Sequence, residues 1–281
     1  MPNRLYICLA LMLPPLFLQT AVLADSPFII TPVINGPRLG IHIDVLEDPT
    51  GDLDLEAVRS GKTGAGFAPG GRDYLSFGYT RSTYWARLET SNGTGQPIRW
   101  LLELDTPHMD SVELYSPDES GKYSARRAGD TIPFHVREIE YRTFVFPILE
   151  QPGTRTYYLR FRTEGSMDIH LRAWSPMEFM GKMNREMPVL WIFYSFILIM
   201  ACYNLYMFFS IQKPSYLYFS LFIASYLILQ MVLDGSSFQF LWPDFPWWAN
   251  HSLAVAIFCC LLFSVLHAIR FLETRRVTPR V

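Results

Sequence analysis

Three stretches between residues 187 and 269 are too apolar, too long and too free of charge for a water-soluble core. Residues 187–212 carry no ionisable acid or base except tyrosine and cysteine, Lys213 interrupts, and residues 214–233 are again uncharged. Asp234 and Asp244 flank a short loop, after which residues 245–269 contain no Asp, Glu, Lys or Arg. Each run reaches the ~20 apolar residues that a helix needs to cross a bilayer core. Lipid offers the backbone no hydrogen-bonding partner, so such runs are stable there only as helices that satisfy themselves. The reading is three transmembrane helices at 187–212, 214–233 and 245–269.

Basic residues set the orientation, because cytoplasmic loops are enriched in Lys and Arg. Lys213 lies in the first turn, and Arg270, Arg275, Arg276 and Arg280 lie in the tail, whereas 234–244 has no basic residue. Segments 212–214 and 270–281, the latter a short basic tail, are therefore expected in the cytoplasm, and residues 25–186 outside. Trp191, Trp242, Trp247 and Trp248 then fall near the outer interface, where indole rings prefer to sit. The N-terminus agrees: Arg4, an apolar stretch Leu5 to Leu18 and Val22-Leu23-Ala24 read as a signal peptide over 1–24.

The exported part has a different composition. From Asp25 to Met187 there are 18 basic and 23 acidic residues, a mildly acidic balance that argues against nucleic acid as a partner. Cys8, Cys202, Cys259 and Cys260 all lie in the leader or the spans, so the domain is no disulfide scaffold. No His/Cys cluster has zinc spacing. Residues 25–180 alternate with a period of two: Ile98, Trp100, Leu102 and Leu104 against Arg99, Leu101 and Glu103; Tyr157, Leu159 and Phe161 against Tyr158, Arg160 and Arg162; Ile169, Leu171 and Ala173 against His170, Arg172 and Trp174. Further strands are expected over 84–90, 111–115 and 141–147. Asn92-Gly93, Thr106-Pro107, 116–121 and Gln151-Pro152-Gly153 supply the turns. Short strands at this spacing predict an all-β, jelly-roll-like antiparallel sandwich followed by transmembrane α-helices. One short helix is expected over 53–59, capped by Asp52.

The stretches LGIHIDVLEDPTGDLDLEAV, SFGYTRSTYWARLETSN, RWLLELDTPHMDSVELYSPDESGKY, AGDTIPFHVREIEYRTFVFPI and YYLRFRTEGSMDIHLRAW run in order over about 39–174. They resemble the type 2 extracellular domain of the bacterial seven-transmembrane receptors with diverse intracellular signalling modules (7TMR-DISM). YNLYMFFSIQKPSYLYFSLFIASYL resembles the first two spans of that family's membrane domain. The resemblance implies a periplasmic sandwich that binds carbohydrate-like or other small ligands, set in the bacterial inner membrane. It also implies seven spans and a kinase, cyclase or phosphatase, whereas this sequence has three spans and no output module. Output is therefore expected to pass to a separately encoded kinase or cyclase.

No motif points to catalysis or to a cofactor. Gly61-Lys62-Thr63 lacks the earlier glycine of a phosphate loop, because that position is Glu56. Asp44, Glu47, Asp48, Asp52 and Asp54 cluster without the spacing of a calcium loop and read as a solvated acidic segment. Asn92-Gly93-Thr94 matches a glycosylation sequon, yet Asn-Gly is explained by a hairpin turn. Many carboxylates are present but no pair is singled out for glycoside hydrolysis. Asn204, among large apolar residues, is expected to bond a neighbouring helix. The suggestive set is aromatic and basic: Tyr84, Trp85, Arg87, Arg137 and Arg160, since indole and phenol faces stack on sugars and guanidinium forks grip hydroxyls or carboxylates. The expected function is a membrane-bound periplasmic ligand sensor. The alternatives are a membrane-tethered carbohydrate-binding or assembly module, or a truncated receptor without output.

Overall fold

The computed structural model describes residues 26–61 and 66–272. The leader, Lys62 and Thr63 of the phosphate-loop-like segment, and most of the basic tail lie outside them. Two facing sheets form the exported domain. The larger runs β4 (Ala68–Pro69), β3 (Ile43–Asp48), β6 (Thr83–Asn92), β11 (Gly153–Arg162), β8 (Ser111–Pro117) and β9 (Tyr123–Ala128). The smaller runs β10 (Phe144–Glu150), β7 (Ile98–Leu104), β13 (Leu171–Trp174) and β2 (Asn35–Arg38), while β12 (Ser166–Ile169) and β5 (Leu75–Tyr79) make a ribbon. Pairing is antiparallel apart from β1 (Phe28–Ile29), which runs parallel to β6 at Thr90 and Ser91, beyond the reach of β3.

The period-two pattern explains the core. Tyr84, Ala86 and Leu88 of β6 and Tyr157, Leu159 and Phe161 of β11 face Trp100, Leu102 and Leu104 of β7 and Phe144, Phe146 and Ile148 of β10. The expected continuous strand over 169–174 is instead two strands, because β12 pairs with β5 whereas β13 pairs with β7. His170 is the hinge, and its carbonyl accepts from the Asp105 N–H at 2.9 Å. The Glu150 carboxylate is sealed between the sheets, where it accepts from Trp100 Nε1 at 3.0 Å, Tyr157 Oη at 2.9 Å and Thr90 Oγ1 at 3.0 Å. A buried charge persists only with partners of this kind.

The acidic segment is structured rather than merely solvated. Asp48 accepts from the Gly51 and Leu53 N–H groups, which holds the loop and delays the helix, so α1 (Leu55–Ser60) is capped by Asp54 and not by Asp52. Gly61, at φ 68°, closes that helix in the left-handed conformation. The expected hairpin at Asn92-Gly93 does not form, because the chain there crosses from the large sheet to the small one. Asn92 is buried, and its carboxamide donates to the carbonyls of Gln96, in that crossing, and Glu150, on β10.

Among the described residues three helices are long and apolar enough to span a membrane: α2 (Pro176–Ile211), α3 (Pro214–Leu233) and α5 (Pro246–Phe271), with the short α4 (Ser236–Phe240) between the last two. Each long helix starts on proline, where the missing N–H costs nothing. The first span was expected from residue 187, after a connection over 175–186. That connection is itself helical: α2 has 36 residues, about 54 Å at 1.5 Å per residue, against a core of ~30 Å. Its first turns therefore stand outside the bilayer against the sandwich. Gln212-Lys213 and Arg270 lie at the opposite end of the bundle. Asn204 is buried, but its carboxamide donates to Met200 O of its own helix at 2.8 Å instead of crossing to a neighbour; Ser220 makes the crossing, to Ala201 O.

Replacing Glu150 by Leu leaves three donors in the core without an acceptor and is expected to cost about 2–4 kcal/mol, with Gln costing less because its carbonyl still accepts. Urea unfolding of the full chain in detergent, followed by near-ultraviolet circular dichroism, measures the difference.

Candidate functional site

The aromatic and basic residues singled out from sequence do not converge on one surface. Trp85, Arg87 and Arg160 share the outer face of the large sheet, Arg160 lying opposite Trp85 in the register. Trp85 is fully buried there by Leu46, Tyr158 and Val58, the last from α1, and stacks on Tyr115. It is not open to stack on a sugar. The guanidinium groups are also engaged: Arg87 with Asp44 at 2.7 Å and over the Phe67 ring, Arg160 with Gly51 O at 2.7 Å and over the Trp85 ring. Arg137 lies elsewhere, in the segment between β9 and β10, and Tyr84 points to the other face of β6.

Tyr84 marks a cleft of about 330 Å³ at the rim of the sandwich, lined by Glu47, Pro69, Leu75, Phe77 and Tyr84. The Phe77 and Tyr84 rings stack at 4.3 Å. Burial, then the neighbouring Glu47 charge, pushes the Tyr84 hydroxyl up to about 12, so it stays protonated and donates toward that carboxylate. Ser82 Oγ donates to the same group at 2.7 Å. An apolar aromatic wall with one oriented carboxylate suits a small ligand that stacks and donates hydrogen bonds.

The second constellation joins the sandwich to the membrane helices. Phe179, Met183 and Met187 recur every four residues on α2 and cover Leu101, Tyr141, Val145 and Trp174 on the outer face of the small sheet. Lys182, on the same side, donates from Nζ to Glu103 Oε1 at 2.6 Å. Both groups are buried, and Glu103 also accepts from Thr143 Oγ1 at 2.7 Å and Trp174 Nε1 at 2.8 Å. One turn on, Glu186 accepts from Arg142 at 2.7 Å and Tyr141 Oη at 2.9 Å, and Arg142 also reaches Asp234 O at 3.1 Å.

The segment 129–143 completes the contact. Phe134 N–H donates to Pro243 O at 2.9 Å, Gln239 Nε2 donates to Glu140 O at 3.3 Å, and Phe134 meets Phe238 of α4 edge to face. Arg137 is clamped among the rings of Phe134, Phe144 and Phe238, with Nη1 donating to Tyr141 O. Burial pulls its guanidinium down to about 10. It is thus a strut of the junction, not a group on the sheet face. Gly235 lets the two parts come together, since a Cβ there would stand 2.8 Å from Arg142 O and 2.7 Å from Pro107 Cβ, at φ 83°. Sequence reasoning missed Glu103 and Lys182. The available signals were Leu101, apolar on a face expected to be wet, and the four-residue spacing of Phe179, Met183 and Met187.

Among the described residues there is no cluster of His, Cys, Asp and Glu that could hold a metal ion. The model for the 7TMR-DISM extracellular 2 domain matches residues 40–175, and the model for the 7TM diverse intracellular signalling domain matches residues 186–281. A search of curated proteins found no match.

Lys182→Met strands a buried carboxylate and is expected to cost about 3–5 kcal/mol, most of it recovered in the Glu103→Gln/Lys182→Met double variant. Gly235→Ala is expected to separate the sandwich from the helices without unfolding either part. Unfolding curves and hydrogen exchange at the Phe134 amide read the two effects.

Proposed function

This chain belongs to the 7TMR-DISM membrane receptors, and we propose that its sandwich binds a small ligand at the rim cleft and passes the bound state to the membrane helices through α2. Both matched domains are sensor and receptor domains, one lying outside and one in the membrane. The observation that carries the proposal is the continuity of α2: a single helix is pinned to the small sheet at Lys182–Glu103 and continues through Pro188 into the bilayer. A ligand shifts such a device only as far as it binds one arrangement better than the other. A sandwich held by a junction centred on a buried ion pair gives it two arrangements to choose between, engaged and released.

The chemistry of the cleft favours a ligand with a flat or ring-shaped apolar face and hydroxyl or ammonium donors. Phe77, exposed and backed by the buried Tyr84 ring, serves the face and Glu47 the donors. Sugars meet this description, as do small cations, and the choice between them is part of the test. The basic residues Lys213 and Arg270 at the bundle end away from the sandwich support a cytoplasmic position for that end, in a bacterial inner membrane. Output is read as passing there to a kinase or cyclase.

The full chain in nanodiscs is titrated with a panel of mono- and oligosaccharides and small amines, by calorimetry. A ligand is expected whose affinity falls about tenfold or more in Phe77→Ala, that is ~1.4 kcal/mol or more. Arg87→Ala should leave it unchanged. The opposite pattern moves the ligand to the outer sheet face around Trp85, Arg87 and Arg160. Binding that survives both changes defeats the sandwich as the ligand-binding part.

A further inference from the structure

The junction holds a carboxylate that neither the ligand cleft nor the α2 contact uses. Asp130 begins the segment that docks on the helices, and it is only 7% exposed. Its N–H donates to Met109 O at 3.0 Å. Its side chain faces the Asn250 carboxamide of α5, which donates to the two oxygens at 3.2 and 3.3 Å when its nitrogen is turned toward them. Asp130, His108, Arg137 and Arg142 line a cavity with Val232, Gly235 and Ser237, and its volume of about 10 Å³ admits one water at most. The walls come from both parts of the protein, so the carboxylate lies in the seam.

We propose that Asp130 is a proton-binding site of the receptor, and that loss of this proton loosens the sandwich from the membrane helices. The inference rests on the reading of the junction as the route from sandwich to membrane. A protonated Asp130 fits the seam with no charge to solvate, its hydroxyl donating to the Asn250 carboxamide oxygen when that atom is the one turned toward it. An ionised one needs water that the cavity cannot supply unless the seam opens. Burial, followed by the Asp110 charge, raises the carboxyl to about 7, against the lowering influence of Arg137 and Asn250.

The sign follows from linkage. With the docked group raised and the undocked one ordinary, docking gains free energy that is full below about pH 4 and lost as pH rises through about 7. The other groups facing the seam are accounted for as follows. Arg137 and Arg142 stay charged, Asp110 binds the Glu164 N–H, and Asp234 binds the Ser236 N–H. His108 is lowered chiefly by burial, with the Leu233 and Val232 carbonyls and Asp234 pulling the other way. Its contribution is present above the ordinary histidine range and is lost as pH falls through its lowered value, which limits docking on the acid side. The exposed pair His135–Asp244, 3.2 Å apart at the rim, is removed in a His135→Gln control.

Two measurements on the full chain in nanodiscs test the site. Infrared titration with 13C-labelled aspartate carboxyls needs no substitution. An aspartic acid carbonyl band with a midpoint near pH 7 is expected, and complete ionisation of every aspartate by pH 5 overturns the proposal. Hydrogen exchange at the Phe134 amide, corrected for intrinsic exchange, reads docking through its bond to Pro243 O. Protection should fall by up to about tenfold per pH unit approaching pH 7 and level off above it. Asp130→Asn, which keeps the neutral shape, should remain protected throughout, and His135→Gln should keep the wild-type slope. A wild-type slope in Asp130→Asn, or a flat wild type, overturns the proposal. Lys182→Met should lower protection at every pH with the slope retained. If it leaves Phe134 unaffected while the Asp130-dependent slope persists, the α2 coupling fails and the proton site stands.

Discussion

The buried ion pair between Glu103 and Lys182 is the contact on which the relation between the two halves of this receptor depends. Neither charge could be where it is without the other. Glu103 sits one residue before the end of β7, on a face that an isolated sandwich would give to water, and Lys182 sits about two turns into α2. Their burial requires the sheet and α2 to be in register to within a hydrogen bond. Apolar contacts around Phe179 and Met183 provide area, but area alone tolerates sliding, whereas a pair with Trp174 and Thr143 as further donors does not.

That constraint gives the outer faces of the two sheets different roles. The large sheet is covered by its own chain, by α1 and the loop that Asp48 organises, and its tryptophan and arginines are spent on internal packing and ion pairs. The small sheet is covered by the membrane domain. Ligand-sized space is left at the rim, where the stacked Phe77 and Tyr84 meet Glu47. A change at the rim and a change at the junction therefore involve the same sandwich but separate faces of it.

The segment between β9 and β10 carries the other half of the docking surface. Its sequence reads as turn and polar loop, yet it contributes a backbone hydrogen bond to the outer membrane loop, an arginine clamped among three phenylalanines, and Asp130. Loops on soluble domains seldom bury such groups, because backbone polar atoms need water or partners. Here the partners are the carbonyls and side chains at the outer helix ends, which a membrane helix leaves unsatisfied in any case.

Hydropathy by itself determined the three spans among the described residues, because a bilayer leaves an uncharged run of ~20 residues little alternative to a helix. Period-two alternation likewise determined the strands around Trp100 and Tyr157 and which of their residues face the core, since successive side chains on a strand must point to opposite sides. Tertiary structure alone decided what covers the outward faces. Alternation says that Trp85, Leu101 and Glu103 point away from the core, and it is silent on whether water, α1 or α2 lies there. For the same reason Arg137 looked like a ligand group and is a strut, and the stretch at 175–186 looked like a tether and is the first turns of α2. The spans follow from local composition read against one solvent. The junction depends on residues more than 70 positions apart meeting, as Glu103 and Lys182 do, and no local pattern encodes that meeting.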